Sequence, residues 1–404
     1  MIFLEDAHDY LLNKIRPLEA LPVPLSEAAG LVLSETAHAL ELVPPFANTA
    51  MDGFAVRAAD TVNAPVTLKV TGAIAAGDYA SKSLATGQAM QIMTGAPLPP
   101  GADAVVMVER TNFDPLKQEV EVQITVAEGN HVRQAGEDVR PGDQLCAAGT
   151  LLGAGHLGVL ASVGFDTVRA FRRPRVGVIS TGDELVDDGA PLKLGQIRDS
   201  NRRTLLTLVA ESGMVPLDLG IIRDNEADLT RAFSNAAESC DAIVSSGGVS
   251  MGEFDFVKVV LDRLGEMRWM QIAIKPAKPF AFGLIGQTPV FGLPGNPVSS
   301  MVSYELLARP ALLKMAGQQC IHRPRRLAVS RDTLGGHDDG KTHFLRVCGK
   351  PDETGRWRVG KLGGQGSHQL TAMAQADALA VVPAGQEITP GDEVEIILLG
   401  TVMQ

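Results

Sequence analysis

Apolar positions Ala7, Leu11, Leu12 and Ile15 fall on one face of a helix expected from Asp6 to Arg16, with Pro17 ending it. A second helical start reads at Ser26-Glu27-Ala28-Ala29, stopped by Gly30. Pro44-Pro45 marks a change of pattern. From Met51 to about Asp138 the apolar runs are short and strand-like: Val66 to Val70, Ala104 to Val108 and Glu119 to Val126. Asp114-Pro115 is a turn among them. Val139 to Phe171 returns to Gly-punctuated helix and turn. We read a split N-terminal unit (1–48 and 139–172) with a small β unit (49–138) inserted in it.

From Arg173 the period alternates between two and 3.6. Strands are expected at Val176 to Ile179, Val215 to Ile222, Asp241 to Ser246, Gln271 to Ile274, Phe280 to Leu284 and Val290 to Leu293. Helices are expected at Ser200 to Ser212, Asn225 to Ser239, Glu253 to Leu264 and Pro297 to Met315. Such alternation implies a parallel sheet covered by helices on both faces over 173–320. Its ligands belong at the carboxyl ends of the strands. Past Gly317 only short strands remain: Leu327 to Ser330, His343 to Val347, Trp357 to Val359, Ala378 to Val382 and Val394 to Leu399. Residues 321–404 therefore read as a small β-barrel or sandwich. The fold class is α/β and β, multidomain.

Composition narrows the function classes. The 36 basic and 47 acidic residues leave a net charge of −11, and aromatics are only 4% of 404 residues. That excludes a non-specific nucleic-acid binder, which needs phosphate-neutralising charge and stacking surfaces. Cys146, Cys240, Cys320 and Cys348 form no CxxC pair, so neither a disulfide framework nor a thiolate zinc site is expected. Cys240 is expected to be buried, and His156, in a Gly-rich apolar stretch, to be packed rather than catalytic. The N-terminus lacks a signal-peptide layout and the longest apolar stretch, Thr150 to Phe165, is too short and too Gly-rich to span a bilayer. A cytoplasmic location without membrane or nucleic-acid partners is expected.

Three loops at expected strand ends carry the candidate chemistry. They are Ser180-Thr181-Gly182-Asp183-Glu184, then Ser245-Ser246-Gly247-Gly248-Val249-Ser250-Met251-Gly252-Glu253 leading to Asp255, then Leu293-Pro294-Gly295-Asn296-Pro297-Val298-Ser299-Ser300. Each alone reads better as a tight turn with a helix cap. Three on one sheet edge point to a phosphorylated ligand, because Gly admits close backbone approach and free N–H groups attract anions. GxxxxGK[ST] matches only at Gly335 to Thr342 and GxGxxG only at Gly153 to Gly158, neither of them in these loops nor in the α/β stretch, so P-loop and dinucleotide readings are weak. Acidic residues recur here, Asp183, Glu184, Asp224 and Asp255, with Asp52 and Asp138 in the β unit, and carboxylates offer the hard oxygens that a divalent cation prefers. Asp183 reads better as a cap. Asp52, Asp138 and Asp255, each in a Gly-containing segment, read either as turn residues or as site carboxylates. Lys275 and Lys278 lie in a Pro-stiffened segment suited to an oxyanion, although a lysine pair alone is more simply a solvated turn.

Taken in order, these motifs resemble the MoeA family, the molybdopterin molybdenumtransferases that include the E domain of gephyrin. The resemblance runs through Pro44-Pro45-Phe46, Ala50-Met51-Asp52-Gly53-Phe54-Ala55-Val56, Ile92-Met93-Thr94-Gly95-Ala96-Pro97 and Gly101 to Val106. It continues through Arg133 to Asp138, Ser180 to Leu185, Asp199-Ser200-Asn201, Ser245 to Glu253, Lys275 to Pro279 and Gly292 to Val298, and fades beyond. It implies a homodimer with a MogA-like α/β domain and a C-terminal β-barrel. The implied reaction takes adenylylated molybdopterin (molybdopterin-AMP) and molybdate to molybdenum cofactor and AMP, with Mg²⁺ or a similar cation.

By the resemblance, Asp52, Thr94, Asp138, Glu184, Asp224 and Asp255 are catalytic, and Glu184, Asp224 and Asp255 hold the metal. Ser180, Thr181, Gly182, Ser246, Gly247, Gly248, Ser250, Gly252, Lys275, Lys278, Pro294, Gly295, Asn296, Pro297 and Ser299 bind the pterin substrate or the oxyanion. Asp52, Thr94 and Asp138 would reach the cleft of the partner subunit. Transient contacts with a MogA-type adenylyltransferase and with molybdoenzyme chaperones are implied.

The chain departs from the family pattern at Ala47, Arg198, Gln271 and Ala277, where members often carry Asp, Tyr, a basic residue and Gly. Arg198 is the candidate to restore the charge absent at Gln271. Molybdopterin adenylylation and a non-catalytic molybdopterin-binding scaffold are the alternatives.

Overall fold

The fold is given by a computed structural model that describes residues 1–249 and 256–400. Helix α1 (Leu4–Lys14) buries Leu4, Ala7 and Leu11; Ala7 and Leu11 belong to the expected stripe, while Leu12 is half-buried. It sits in the α/β core, beside Val178, Leu205 and Phe282. Strands β1 (Ala20–Pro24) and β2 (Val32–Leu33) come next. The second helical start proves to be one 3₁₀ turn, Leu25–Glu27. With Pro24 before it and Gly30 at φ 73° just after, the segment has no length in which to propagate a helix.

The inserted unit contains β3 (Gly53–Val56), β4 (Val66–Ile74), β5 (Gln88–Ile92), β6 (Ala104–Met107), β7 (Thr111–Asp114) and β8 (Glu119–Val122). They form one sheet in the order β6-β3-β5-β4-β8-β7 over a core of Phe54, Leu68, Val106 and Val120. The chain then returns through α2 (Ala154–Ser162) to β9 (Thr167–Phe171), which pairs between β1 and β2. A stretch read as helix and turn thus closes a sheet with the N-terminal segment. His156 is exposed, contrary to its apolar setting in sequence: its Nδ1 accepts the Gly153 N–H at 3.0 Å and caps α2. Cys240 is buried, as expected.

The α/β unit follows: β10 (Arg175–Thr181), α3 (Ser200–Glu211), β11 (Val215–Ile222), α4 (Glu226–Ser239), β12 (Ala242–Ser246), α5 (Phe256–Leu264) and β13 (Glu266–Gln271). After the short β14 (Ile274–Lys275) come β15 (Pro279–Ile285) and β16 (Thr288–Leu293). The sheet order is β11-β10-β12-β16-β15-β13, with the first four strands parallel and the β15–β16 and β13–β15 pairs antiparallel. Leu229, Phe233, Val257 and Leu261 of α4 and α5 cover one face. Leu205 and Val209 of α3 cover the other, with α1 and the last helical stretch.

That last stretch is not one α-helix. It divides into α6 (Pro297–Ser303), a π-helical turn (Tyr304–Ala308) and α7 (Arg309–Met315). Pro310 has no N–H for the Leu306 carbonyl four residues back, and the His8 ring nitrogen of α1 bonds that carbonyl instead.

The C-terminal strands β17 (Arg325–Ser330), β18 (Thr342–Pro351), β19 (Trp357–Lys361), β20 (Ala378–Val382) and β21 (Glu393–Leu398) close into a barrel through the β18–β20 pairing. Strand β14 adds to β18 in parallel, so the segment before Lys278 is tied to the barrel. Among the described residues no helix is long and apolar enough to cross a membrane.

Candidate functional site

Strands β10, β12 and β16 lie side by side and parallel. Their three following loops therefore meet at one edge, as the strand-end rule requires. Together with the end of β11 they line a cleft of about 560 Å³. Thr181, Glu184, Asp224, Ser246, Gly247, Gly248, Pro294, Gly295, Asn296 and Pro297 all line it.

Glycine is required at two of these turns. Gly247 sits at φ 98°, and a Cβ there would lie 2.9 Å from the Thr181 carbonyl oxygen. Gly182 sits at φ 147°, and its Cβ would meet the Glu184 carboxylate at 2.6 Å. Gly182 is thus the space into which Glu184 folds, although it does not itself line the cleft. Asp183 accepts the Asp224 N–H at 3.3 Å, so it ties the first loop to the end of β11, in keeping with a capping role.

Several expected residues stand elsewhere. Ser180 is fully buried, and its hydroxyl donates to Asp199 at 3.0 Å, so it supports the loop from behind. Ser299 is buried in α6 and does not line the cleft. Lys275 and Lys278 are exposed outside it, while the adjacent Pro279 lines it. Lys275 Nζ lies 3.7 Å from Asp339, a carboxylate shared with Lys341 (3.0 Å) and His343 (2.9 Å). Ser250, Gly252 and Asp255 lie outside the described residues.

Asp52 and Thr94 form a pair on the inserted unit. One Asp52 oxygen accepts the Thr94 N–H at 2.6 Å and the Thr94 hydroxyl at 2.7 Å. The hydroxyl, then the N–H, holds the Asp52 carboxyl below the usual range. Asp138 is on an exposed turn, its N–H donating to the Val43 carbonyl at 3.0 Å. None of these three lines the cleft of its own chain.

Three side chains of consequence were not picked out as site residues by the sequence. Asn201, in the first turn of α3, lines the cleft and bonds both Ser246 and Gly295. His368 reaches the cleft from the barrel. Its loop docks through the Val298 N–H to the Ser367 carbonyl (3.0 Å). Arg346 is fully buried beneath that loop and donates to the Gly364 and Gly366 carbonyls at 2.9 and 3.1 Å. Its Nε and Nη1 have no partner among the described residues. The only sequence cue to the last two is a Gly-rich run, 363–368, with a histidine at its end.

Residues 2–164 match the MoeA N-terminal region (domain I and II), 177–314 a probable molybdopterin binding domain, and 337–399 the MoeA C-terminal region (domain IV). A molybdopterin molybdenumtransferase of Haemophilus influenzae is 37% identical, covering 96% of this chain and 98% of the relative. The chain belongs to the MoeA family. A second molybdopterin molybdenumtransferase, from Nostoc, is 36% identical over 98% of this chain and 93% of its own length. The crystal structure of a molybdopterin biosynthesis MoeA protein from Pyrococcus horikosii superposes with a TM-score of 0.81 at 34% identity, covering 98% of this chain and 99% of that one.

The divalent cation that the sequence resemblance implies can be set against this MoeA chain's donors. Among the described residues no three His, Cys, Asp or Glu side chains gather around one point. Glu184 and Asp224 nevertheless line the same cleft. Mg²⁺ is typically held by one or two carboxylates with substrate phosphates completing its shell, so this pair fits a cation that arrives with its phosphate ligand. Arg198 also lines the cleft, but its guanidinium is turned to the Ala190 carbonyl and to Asp188 at 3.7 Å. Gln271, at the end of β13, pairs with the cleft-lining Pro279 but does not itself line the cleft.

Proposed function

We propose that the chain inserts molybdenum from molybdate into adenylylated molybdopterin, yielding molybdenum cofactor and AMP. The observation that carries this reading is the single cleft in which three Gly-containing strand-end loops meet with the Glu184 and Asp224 carboxylates, the third lining carboxylate, Asp199, being engaged by Ser180 and Arg202. Backbone N–H groups of the loops hold the phosphates. Glu184 and Asp224, with Asp255 of the same motif set, would hold a divalent cation, which when bound would supply positive charge to the departing phosphate of AMP. Gly182 leaves Glu184 the room to take that position.

Molybdate, a second dianion, needs its own positive charge. Arg346 suits it: a buried guanidinium with two unpaired nitrogens under the loop that presents His368. Lys275 and Lys278 add charge from the adjoining segment. Because Asp52, Thr94 and Asp138 do not line their own cleft, the working unit is a homodimer in which they complete the partner's. Phe46, Met51 and Met93 are exposed by 46%, 43% and 37%, the last two adjoining Asp52 and Thr94 in the chain, and support such a contact.

The test supplies purified adenylylated molybdopterin, molybdate and Mg²⁺ and follows AMP. Molybdate-dependent AMP release with formation of active cofactor supports the reading. Pyrophosphate release from ATP and molybdopterin would instead make the chain an adenylyltransferase.

A further inference from the structure

Asn201 stands where the three loops meet. Its Nδ2 lies 2.7 Å from Ser246 Oγ, at the end of β12, and 2.7 Å from the Gly295 carbonyl, after β16. Two residues earlier, Asp199 caps α3 by accepting the Arg202 N–H, and the same oxygen accepts the Ser180 hydroxyl of the β10 strand end at 3.0 Å. One turn of α3 therefore grips all three loops. Asp199 is itself fixed by a 3.0 Å bond from the buried Arg202 side chain.

The direction of these bonds matters. A carbonyl oxygen can only accept, so the end of Asn201 facing Gly295 is its NH₂, and the same NH₂ donates to Ser246. A Ser246 oxygen that accepts from Asn201 must turn its own proton elsewhere, and Ser246 lines the cleft. The bond to Gly295 also fixes the plane of the Gly295–Asn296 peptide, holding the Asn296 N–H in one direction.

We propose that Asn201 is a positioning residue that sets the hydrogen-bond polarity of the anion-binding loops, making Ser246 a donor to the substrate phosphate. The role rests on the reading of the cleft as a phosphate site. It sets Asn201→Asp apart from Asn201→Ala. The near-isosteric carboxylate would accept the Ser246 proton, reversing that hydroxyl, and would repel the Gly295 carbonyl. Alanine would only release both loops. A purely structural strap would be harmed more by alanine than by a side chain of the same shape.

The experiment measures AMP binding with Mg²⁺ by calorimetry on the full chain, with thermal melting of each variant as the fold check. Ser246→Ala should weaken AMP about tenfold and Asn201→Asp roughly 30-fold, the range for hydrogen bonds to a charged group. Asn201→Ala should fall between them, and adding Ser246→Ala to it should cost no more than about a further twofold, because the two residues act as one unit. Should Asn201→Asp fail to fold, the non-additivity of the two alanine variants carries the test. Asn201→Asp binding AMP within about threefold of the unaltered chain, or alanine losses that simply multiply, overturns the role. An unaltered chain that binds no AMP overturns the reading of the cleft itself.

Discussion

Thr94 donates both its hydroxyl and its N–H to one oxygen of Asp52, at 2.7 and 2.6 Å, on the face of the inserted unit that we assign to a partner's cleft. The pair keeps an exposed carboxylate ionised and aimed. Thr94→Val removes the hydroxyl, the larger cause of the lowered pKa, and leaves the N–H. The Asp52 pKa should rise towards its ordinary value, and the acid limb of the pH–activity profile should move to higher pH. Because the folded pKa is the lower one, the pair's contribution to stability is present above the unfolded value of 3.8 and is lost as pH falls through the folded pKa. Carboxylate titration by NMR in both proteins checks this; an unmoved Asp52 contradicts it.

Ala277 is buried and held at φ 79°, a left-handed conformation in which a Cβ costs about 1–2 kcal/mol. Ala277→Gly should remove that cost, less the extra chain entropy of glycine, for a net gain of about 0.5–1 kcal/mol. The chemical-denaturation midpoint should rise. A fall would mean that the Ala277 methyl contributes more by packing than it costs in strain.

Glu305 is buried in the π-helical turn and accepts two bonds from Arg323, at 2.8 and 2.9 Å, with Arg309 at 3.8 Å. Glu305→Gln would remove the counter-charge that two largely buried guanidinium groups share, leaving Arg323 only the weaker influence of Glu211. The expected cost is about 3 kcal/mol, read from urea unfolding. A loss below about 1 kcal/mol would show that water reaches the two arginines.

Arg346→Met should leave AMP binding within about twofold, since Arg346 is not in the cleft lining, but should raise the molybdate concentration needed for half-maximal AMP release by at least about tenfold. Equal loss of both would make Arg346 a strut for the 364–368 loop only.

Runs such as Val176 to Ile179 and Asp241 to Ser246 were legible because buried parallel strands need unbroken apolar or small residues, and Asn225, read as the start of its helix, is the residue that caps it. The π-helical turn was not, since it depends on an imidazole from α1, nearly 300 positions away. The loops at the site were legible from Gly and hydroxyl residues at strand ends. Asn201 and His368 were not legible as site residues. One lies on a helix whose periodicity reports only its buried side, and the other comes from the barrel by tertiary docking alone. Ser180 misled for the converse reason: a hydroxyl at a strand end faces the ligand or the core according to the parity of the strand.

The most direct measurement is single-turnover AMP release from adenylylated molybdopterin with Mg²⁺, with and without molybdate, in the unaltered chain and in Glu184→Gln and Asp224→Asn. The account predicts molybdate-dependent release in the unaltered chain and a loss of about 100-fold or more in each variant, the order expected when a group that stabilises leaving-group charge is removed. Release that is independent of molybdate, or undiminished in both variants, would contradict it.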